Sequence, residues 1–263
     1  MTILDLFRLD GHVALVNGGG RGIGAACAVA LAEAGADVAI RAKEPIEIEQ
    51  TARRLRAIGH RVVALEVGEG PEDERRAIEA VVAELGPITT LLNVAGGAGS
   101  GAFMDITDDQ LAAAFDFNVA LPLRLSRLVV PHMLEAGGGS IVNISTAMAH
   151  LVARGFVTYG TVKAALQHAT RLMAADLSPR IRVNAVAPGA VLTDGLRAFI
   201  QRIGENGVDP MAAVPMRRLG EPKDVAAAAL FLCSPAASYV TGTVLEVAGG
   251  MQQPAFAIAI PDL

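Results

Sequence analysis

Seven short apolar runs recur along the chain with longer stretches of helical pattern between them, and this alternation limits the possible folds more than any other feature. The runs cover His12 to Val16, Asp37 to Arg41, Arg61 to Val67, Ile88 to Asn93, Ser140 to Ser145, Arg182 to Ala187 and Thr243 to Val247. Most lack the polar alternation of a half-exposed strand, so they read as parallel strands covered on both faces. The expected fold is α/β: one doubly wound domain over residues 1–263, a seven-stranded parallel sheet with helices on both faces and right-handed crossovers. An apolar content of 52% is ample for such a core. No linker or low-complexity tract divides the chain.

Composition narrows the function classes. A net charge of -5 leaves no electrostatic footprint for nucleic acid. The opening MTILDLFRLDG has no positive region followed by an apolar stretch, so it does not read as a secretory signal. Apolar runs such as Val225 to Cys233 are too short to span a bilayer. The expectation is a cytoplasmic protein with a small-molecule substrate and neither a nucleic-acid nor a membrane partner. Cys27 and Cys233 lie in apolar helical contexts and read as buried thiols. The five histidines show no metal-ligand spacing, so no metal site is expected.

Directly after the first strand comes NGGGRGIG, Asn17 to Gly24, opening the first long helix. Glycines here let the backbone turn tightly and approach a pyrophosphate, while the helix N-terminus supplies unpaired N–H groups to the anion. Gly18, Gly20, Arg21, Gly22, Ile23 and Gly24 are therefore candidate dinucleotide contacts. At the end of the second strand an Asp or Glu would bind the ribose hydroxyls of NAD. This chain has Arg41-Ala42-Lys43. With Arg21 nearby, the cations Arg41 and Lys43 predict NADP(H) over NAD(H), although strand alternation leaves open that Arg41 points away.

Tyr159-Gly-Thr-Val-Lys163 sets a phenol and an ammonium on one helical face. A free tyrosine titrates near ~10, so a nearby cation is needed to make it a useful base at neutral pH. Lys163 is the expected source.

Taken in order, these motifs resemble the short-chain dehydrogenase/reductase family over essentially the whole chain, which implies a Rossmann fold. Asn93-Val-Ala-Gly96 resembles the family segment lining the cofactor cleft, which brings in Asn93, Ala95 and Gly96. Pro188-Gly189, with Val191 and Thr193 beyond, resembles the segment flanking the nicotinamide. Glu66, where the family usually has Asp, and Val67 are placed beside the adenine. The resemblance implies that Tyr159 exchanges a proton with the reacting oxygen, and that Lys163 lowers the tyrosine pKa and holds the nicotinamide ribose. It also implies a proton relay through Asn118. The usual hydrogen-bonding serine is replaced by Thr146, which keeps the hydroxyl and adds a methyl. Ser145, one residue earlier, is expected to face the other side.

APGAVLTD and RRLGEPKDVAAAALFLCSPAASYVTG are similar to stretches of bacterial 7α-hydroxysteroid dehydrogenases, and also of 3-oxoacyl-carrier-protein reductases. The leading expectation is hydride transfer between NADP(H) and a secondary alcohol or ketone, a steroid or another bulky alicyclic compound. A 3-oxoacyl-carrier-protein reductase is the alternative, and a catalytically silent NADP(H)-binding module the third reading. The Gly- and Pro-rich stretch from 193 to 215 reads equally as a mobile cover over the substrate or as a variable connection. His150 and Arg154 read as loop residues within reach of a substrate. The apolar tail from Pro254 reads as a subunit contact, and the resemblance implies a homotetramer.

Overall fold

The computed structural model describes residues 2–68, 70–203, 211–255 and 260. Its strands are β1 (Val13–Asn17), β2 (Asp37–Ala42), β3 (Val62–Glu66), β4 (Thr90–Asn93), β5 (Gly139–Ile144), β6 (Ile181–Pro188) and β7 (Val244–Val247). All pair in parallel, in the order β3-β2-β1-β4-β5-β6-β7. Each strand lies where an apolar run predicted it, with ends shifted by a residue or two. The helices between them are α1 (Gly22–Glu33), α2 (Pro45–Ile58), α3 (Gly70–Leu85), α4 (Asp108–Phe115), α5 (Leu121–Glu135), α6 (Val157–Leu177), α7 (Asp194–Ile203) and α8 (Pro222–Cys233).

Burial on both faces explains the continuous apolar strands. Along β1, Ala14 and Val16 pack into one core with Leu31 of α1, Leu55 of α2 and Val225 of α8. Val13 and Leu15 pack into the other with Val81 of α3, Val129 of α5 and Ala174 of α6. Neither side of the strand can be polar until its last residue, Asn17. Chain order reverses between β1 and β4, and the crevice this opens at the strands' carboxyl ends is where ligands bind in such sheets.

Two local features shape that crevice. The glycine turn holds positive φ angles at Gly18 (92°) and Gly22 (53°), and at Gly18 an added Cβ would lie 2.5 Å from the Ala95 nitrogen. Between α4 and α5 the helix widens into a single π turn, Asp116–Ala120, that includes Asn118. Such turns expose groups an α-helix would hide, and they recur at functional sites.

Candidate active site

α6 carries Tyr159 and Lys163 one turn apart, and β5 ends by delivering Ser145 and Thr146 beside them. These residues border a cavity of about 410 Å³ at the carboxyl end of the sheet, whose wall also includes Gly96, Pro188, Gly189, Val191 and Thr193. Thr146 lies beside the Tyr159 phenol, and its hydroxyl donates to the Pro188 carbonyl at 3.4 Å. Ser145 is turned inward: its hydroxyl donates to the Lys163 carbonyl at 3.2 Å and accepts from Gln167 Nε2 at 3.1 Å. Alternation at the strand end thus separates two adjacent hydroxyls.

Lys163 is buried and donates from Nζ to the Ile144 carbonyl at 2.9 Å. Burial holds its pKa down at about 8. Asn118, fully buried in the π turn, clamps the loop after β4: Oδ1 accepts from the Gly97 nitrogen at 2.9 Å and Nδ2 donates to the Gly97 carbonyl at 2.8 Å. Gly96 is the hub. A Cβ there would lie 2.6 Å from Lys163 Nζ and 2.9 Å from Asn118 Oδ1, so its missing side chain is what lets both groups approach one point.

One electrostatic expectation is corrected. The Tyr159 phenol lies above its ordinary pKa, because burial outweighs the opposing effect of Thr146 beside it and no charge offsets it. Lys163, itself desolvated and bonded to a carbonyl, does not pull it down.

The adenine end is arranged differently. Ile40 and Ala42 face the glycine turn, where Cβ atoms on Gly19 and Gly20 would each come within 2.8 Å of them. Arg41 therefore faces the opposite side. It is buried, donating to Asp73 Oδ2 at 2.7 Å and to Asn17 Oδ1 at 3.2 Å. Its expected role at the cofactor is corrected on this ground: pleat direction and an ion pair with α3 remove it from the crevice. Arg21 is exposed and pairs with Glu47 at 3.2 Å. Lys43 is exposed and has no ion pair among the described residues.

The remaining candidates line the crevice or brace the strands beneath it. Asn93 is buried, with Nδ2 donating to Asn143 Oδ1 at 2.9 Å, and the Ala95 nitrogen donates to the Asn17 carbonyl at 2.9 Å. Val67 donates to the Ala42 carbonyl at 2.8 Å, and Glu66 ends β3 beside Ala42. Thr193 reaches across the crevice, its Cγ2 3.4 Å from where a Gly22 Cβ would stand. His150 pairs with Glu246 of β7 at 3.4 Å. Among the described residues no cluster of three or more His, Cys, Asp or Glu could hold a metal, and no helix is long and apolar enough to cross a membrane.

The site fits a dinucleotide. α1 has no side-chain cap at its N-terminus, so its first amides are open to an anion. The turn packs directly on the start of α1: a Cβ on Gly24 would run into the Gly18 carbonyl oxygen.

A family model described as enoyl-(acyl carrier protein) reductase matches residues 18–252. The chain belongs to the short-chain dehydrogenase/reductase family. It is an oxidoreductase of that family, whose members act on alcohol and ketone groups with a nicotinamide cofactor. An uncharacterised oxidoreductase of Mycobacterium tuberculosis is 47% identical over 99% of this chain and 100% of its own length. A 7α-hydroxysteroid dehydrogenase of Escherichia coli is 39% identical, covering 94% of this chain and 96% of its own. Among solved structures, a 7α-hydroxysteroid dehydrogenase complexed with NADH and 7-oxo glycochenodeoxycholic acid superimposes with a TM-score of 0.91 at 35% identity, over 97% of this chain and 100% of that one.

Several residues of this site are brought together only by the fold. Gln167 braces the Ser145-Thr146 corner, donating to Ser145 Oγ and, at 3.2 Å, to the Thr146 carbonyl. Asp73 anchors Arg41 from a different helix. Met148, Phe156, Leu196, Phe199 and Met251 give the cavity an apolar wall drawn from separate segments. Only three-dimensional proximity groups them.

Proposed function

We propose that this protein is an NADP(H)-dependent oxidoreductase interconverting a secondary alcohol and a ketone on a bulky, largely apolar substrate, a steroid or another alicyclic compound. The observation that carries it is that Thr146, Tyr159 and Lys163 line one cavity, with Asn118 meeting Lys163 at Gly96 on its wall. When bound, the nicotinamide supplies or accepts the hydride. Gly18, Gly22, Ile23 and Gly24 would hold the pyrophosphate, Gly96, Tyr159 and Lys163 the nicotinamide ribose, and Pro188, Gly189, Val191 and Thr193 the nicotinamide itself. Lys43 and Arg21, beside the bare methyl of Ala42, support a 2′-phosphate in preference to a ribose diol.

In this reading Tyr159 passes its proton to the carbonyl oxygen during reduction and recovers it during oxidation. Thr146 shares that oxygen through its hydroxyl and fixes the phenol's direction. Asn118 holds open the relay through which the proton is replaced.

Substrate class follows from the wall. Met148, Phe156, Leu196, Phe199 and Met251 offer apolar surface suited to a fused-ring compound. α7 contributes Leu196 and Phe199 to the cavity wall, which supports a substrate-covering role for the segment from 193 to 215; residues 204–210 lie outside the described residues. Exposed Leu111 and Phe115 on α4 and Leu172 on α6 support self-association, and we assign a homotetramer. Most of the apolar tail lies outside the described residues. Two buried, unbonded thiols suit the cytoplasm.

The test is NADPH oxidation against a panel of cyclic ketones, oxo-steroids and acetoacetyl thioesters, with NADH in parallel. Turnover of the alicyclic ketones with a higher kcat/KM for NADPH is expected. Turnover of the thioesters alone would identify a 3-oxoacyl reductase, and binding without any turnover a silent module.

A further inference from the structure

Glu47 occupies a corner of the cofactor crevice that no motif assigns to it. α2 begins at Pro45, immediately past β2, and places Glu47 and Thr51 one turn apart on the same face. That face is docked on the glycine turn. The buried Thr51 hydroxyl donates to the Gly20 carbonyl at 2.7 Å, which fixes the height of the helix over the turn. One turn earlier, Glu47 Oε2 lies 3.6 Å from where a Gly20 Cβ would stand, and the Ala42 methyl lies 2.8 Å from that same point. The strand end, bare of an acid at Ala42, is thus faced by a carboxylate delivered from the next helix. The other oxygen, Oε1, accepts from Arg21 Nη1 at 3.2 Å.

The charges at this corner oppose one another. Arg21 and Lys43 attract a 2′-phosphate, while Glu47 repels it and can accept hydrogen bonds from a ribose diol. Arg21 is also already engaged, so a phosphate gains it only by displacing the carboxylate.

We propose that Glu47 determines how sharply this enzyme distinguishes NADP(H) from NAD(H), acting both as an acceptor for the unphosphorylated ribose and as a counter-ion that withholds Arg21 from a 2′-phosphate. The inference rests on the NADP(H) reading above in placing the adenosine ribose at this corner. The Arg21–Glu47 pair is half in water, so its rupture costs little and the preference is tuned, not absolute.

The experiment is calorimetric titration of the full chain with adenosine 2′,5′-bisphosphate and with 5′-AMP, which differ only in the 2′-phosphate, at several salt concentrations. Glu47→Gln is expected to tighten the bisphosphate about tenfold, to weaken 5′-AMP by a few-fold, and to steepen the salt dependence of the bisphosphate as Arg21 becomes available. A ratio of the two dissociation constants unchanged within about twofold overturns the proposal. Arg21→Gln probes the same contact from its other end: several-fold weaker bisphosphate binding with 5′-AMP unaffected is expected, and no change for either ligand overturns it. Turnover separates the two ideas. A wild-type preference for NADH over NADPH would reject the NADP(H) reading, whereas the shift in Glu47→Gln decides the role of Glu47 whichever cofactor the wild type prefers.

Discussion

At the reacting end of the crevice, Thr146, Lys163 and Asn118 are buried and hydrogen-bonded to neighbouring backbone carbonyls. At the adenine end, Arg21 and Lys43 stand in solvent, and the one buried cation, Arg41, is turned to the far side of the sheet. The first region is governed by packing: a methyl at Gly96 would displace the lysine, so the geometry has essentially one solution. The second is governed by exposed charges whose pairings cost little to exchange. Chemistry is therefore rigidly specified in this fold, while cofactor choice is adjustable through single surface residues.

The sharpest challenge to this contrast is Tyr159→Phe, which removes the proton donor and leaves the ring. Steady-state kinetics should show kcat/KM lower by about 10²- to 10⁴-fold, with NADPH affinity by fluorescence titration little changed. Retained turnover would mean that the proton comes from elsewhere. Next in size, Thr146→Ala should cost about 10²- to 10³-fold in kcat/KM through the lost hydrogen bond at the reacting oxygen. Ser145→Ala, whose hydroxyl faces α6, should cost far less. The reverse ranking would exchange the two roles.

Gly96→Ala tests the packing argument directly. The added methyl should push Lys163 Nζ or Asn118 aside, lowering kcat and destabilising the fold by roughly 1–3 kcal/mol in urea unfolding. Arg41→Met sharpens the other side. Breaking its pair with the partly exposed Asp73 should lower stability by roughly 2–4 kcal/mol, below the loss expected for a fully buried orphan charge. The ratio of NADPH to NADH affinity should stay unchanged; a collapse of that ratio would return Arg41 to the cofactor site.

A pH window tests the same burial from another side. Lys163 titrates at about 8 in the folded protein against 10.5 when unperturbed, so between these values the unfolded chain binds the extra proton. Stability should then rise with pH across that window, and the burial penalty should be felt in full below it. Urea midpoints of the wild type minus those of Lys163→Met, taken from pH 7 to about 11, measure it. A flat difference would show that the ammonium is better solvated than its burial indicates.

The strand runs and the glycine turn are readable from residue order because their signals are local: a strand buried on both faces is mostly apolar, and a turn at positive φ favours glycine. For the same reason the Tyr159–Lys163 spacing could be read directly, since a helix places i and i+4 together whatever surrounds it. Which of Ser145 and Thr146 faces the phenol followed from alternation once the end of β5 was located. Arg41 shows where local reading stops. Its charge was visible in the sequence, but its direction depends on pleat phase and its partner lies on α3, a whole strand and helix away. Glu47 is the converse case, silent as a motif and brought to the glycine turn only because Thr51 docks α2 there. The Tyr159 pKa belongs with these, because desolvation is a property of the assembled cavity. Periodicity and turn chemistry act over a few residues and survive in the bare sequence, whereas burial, ion pairing and facing direction come into being only when distant segments pack.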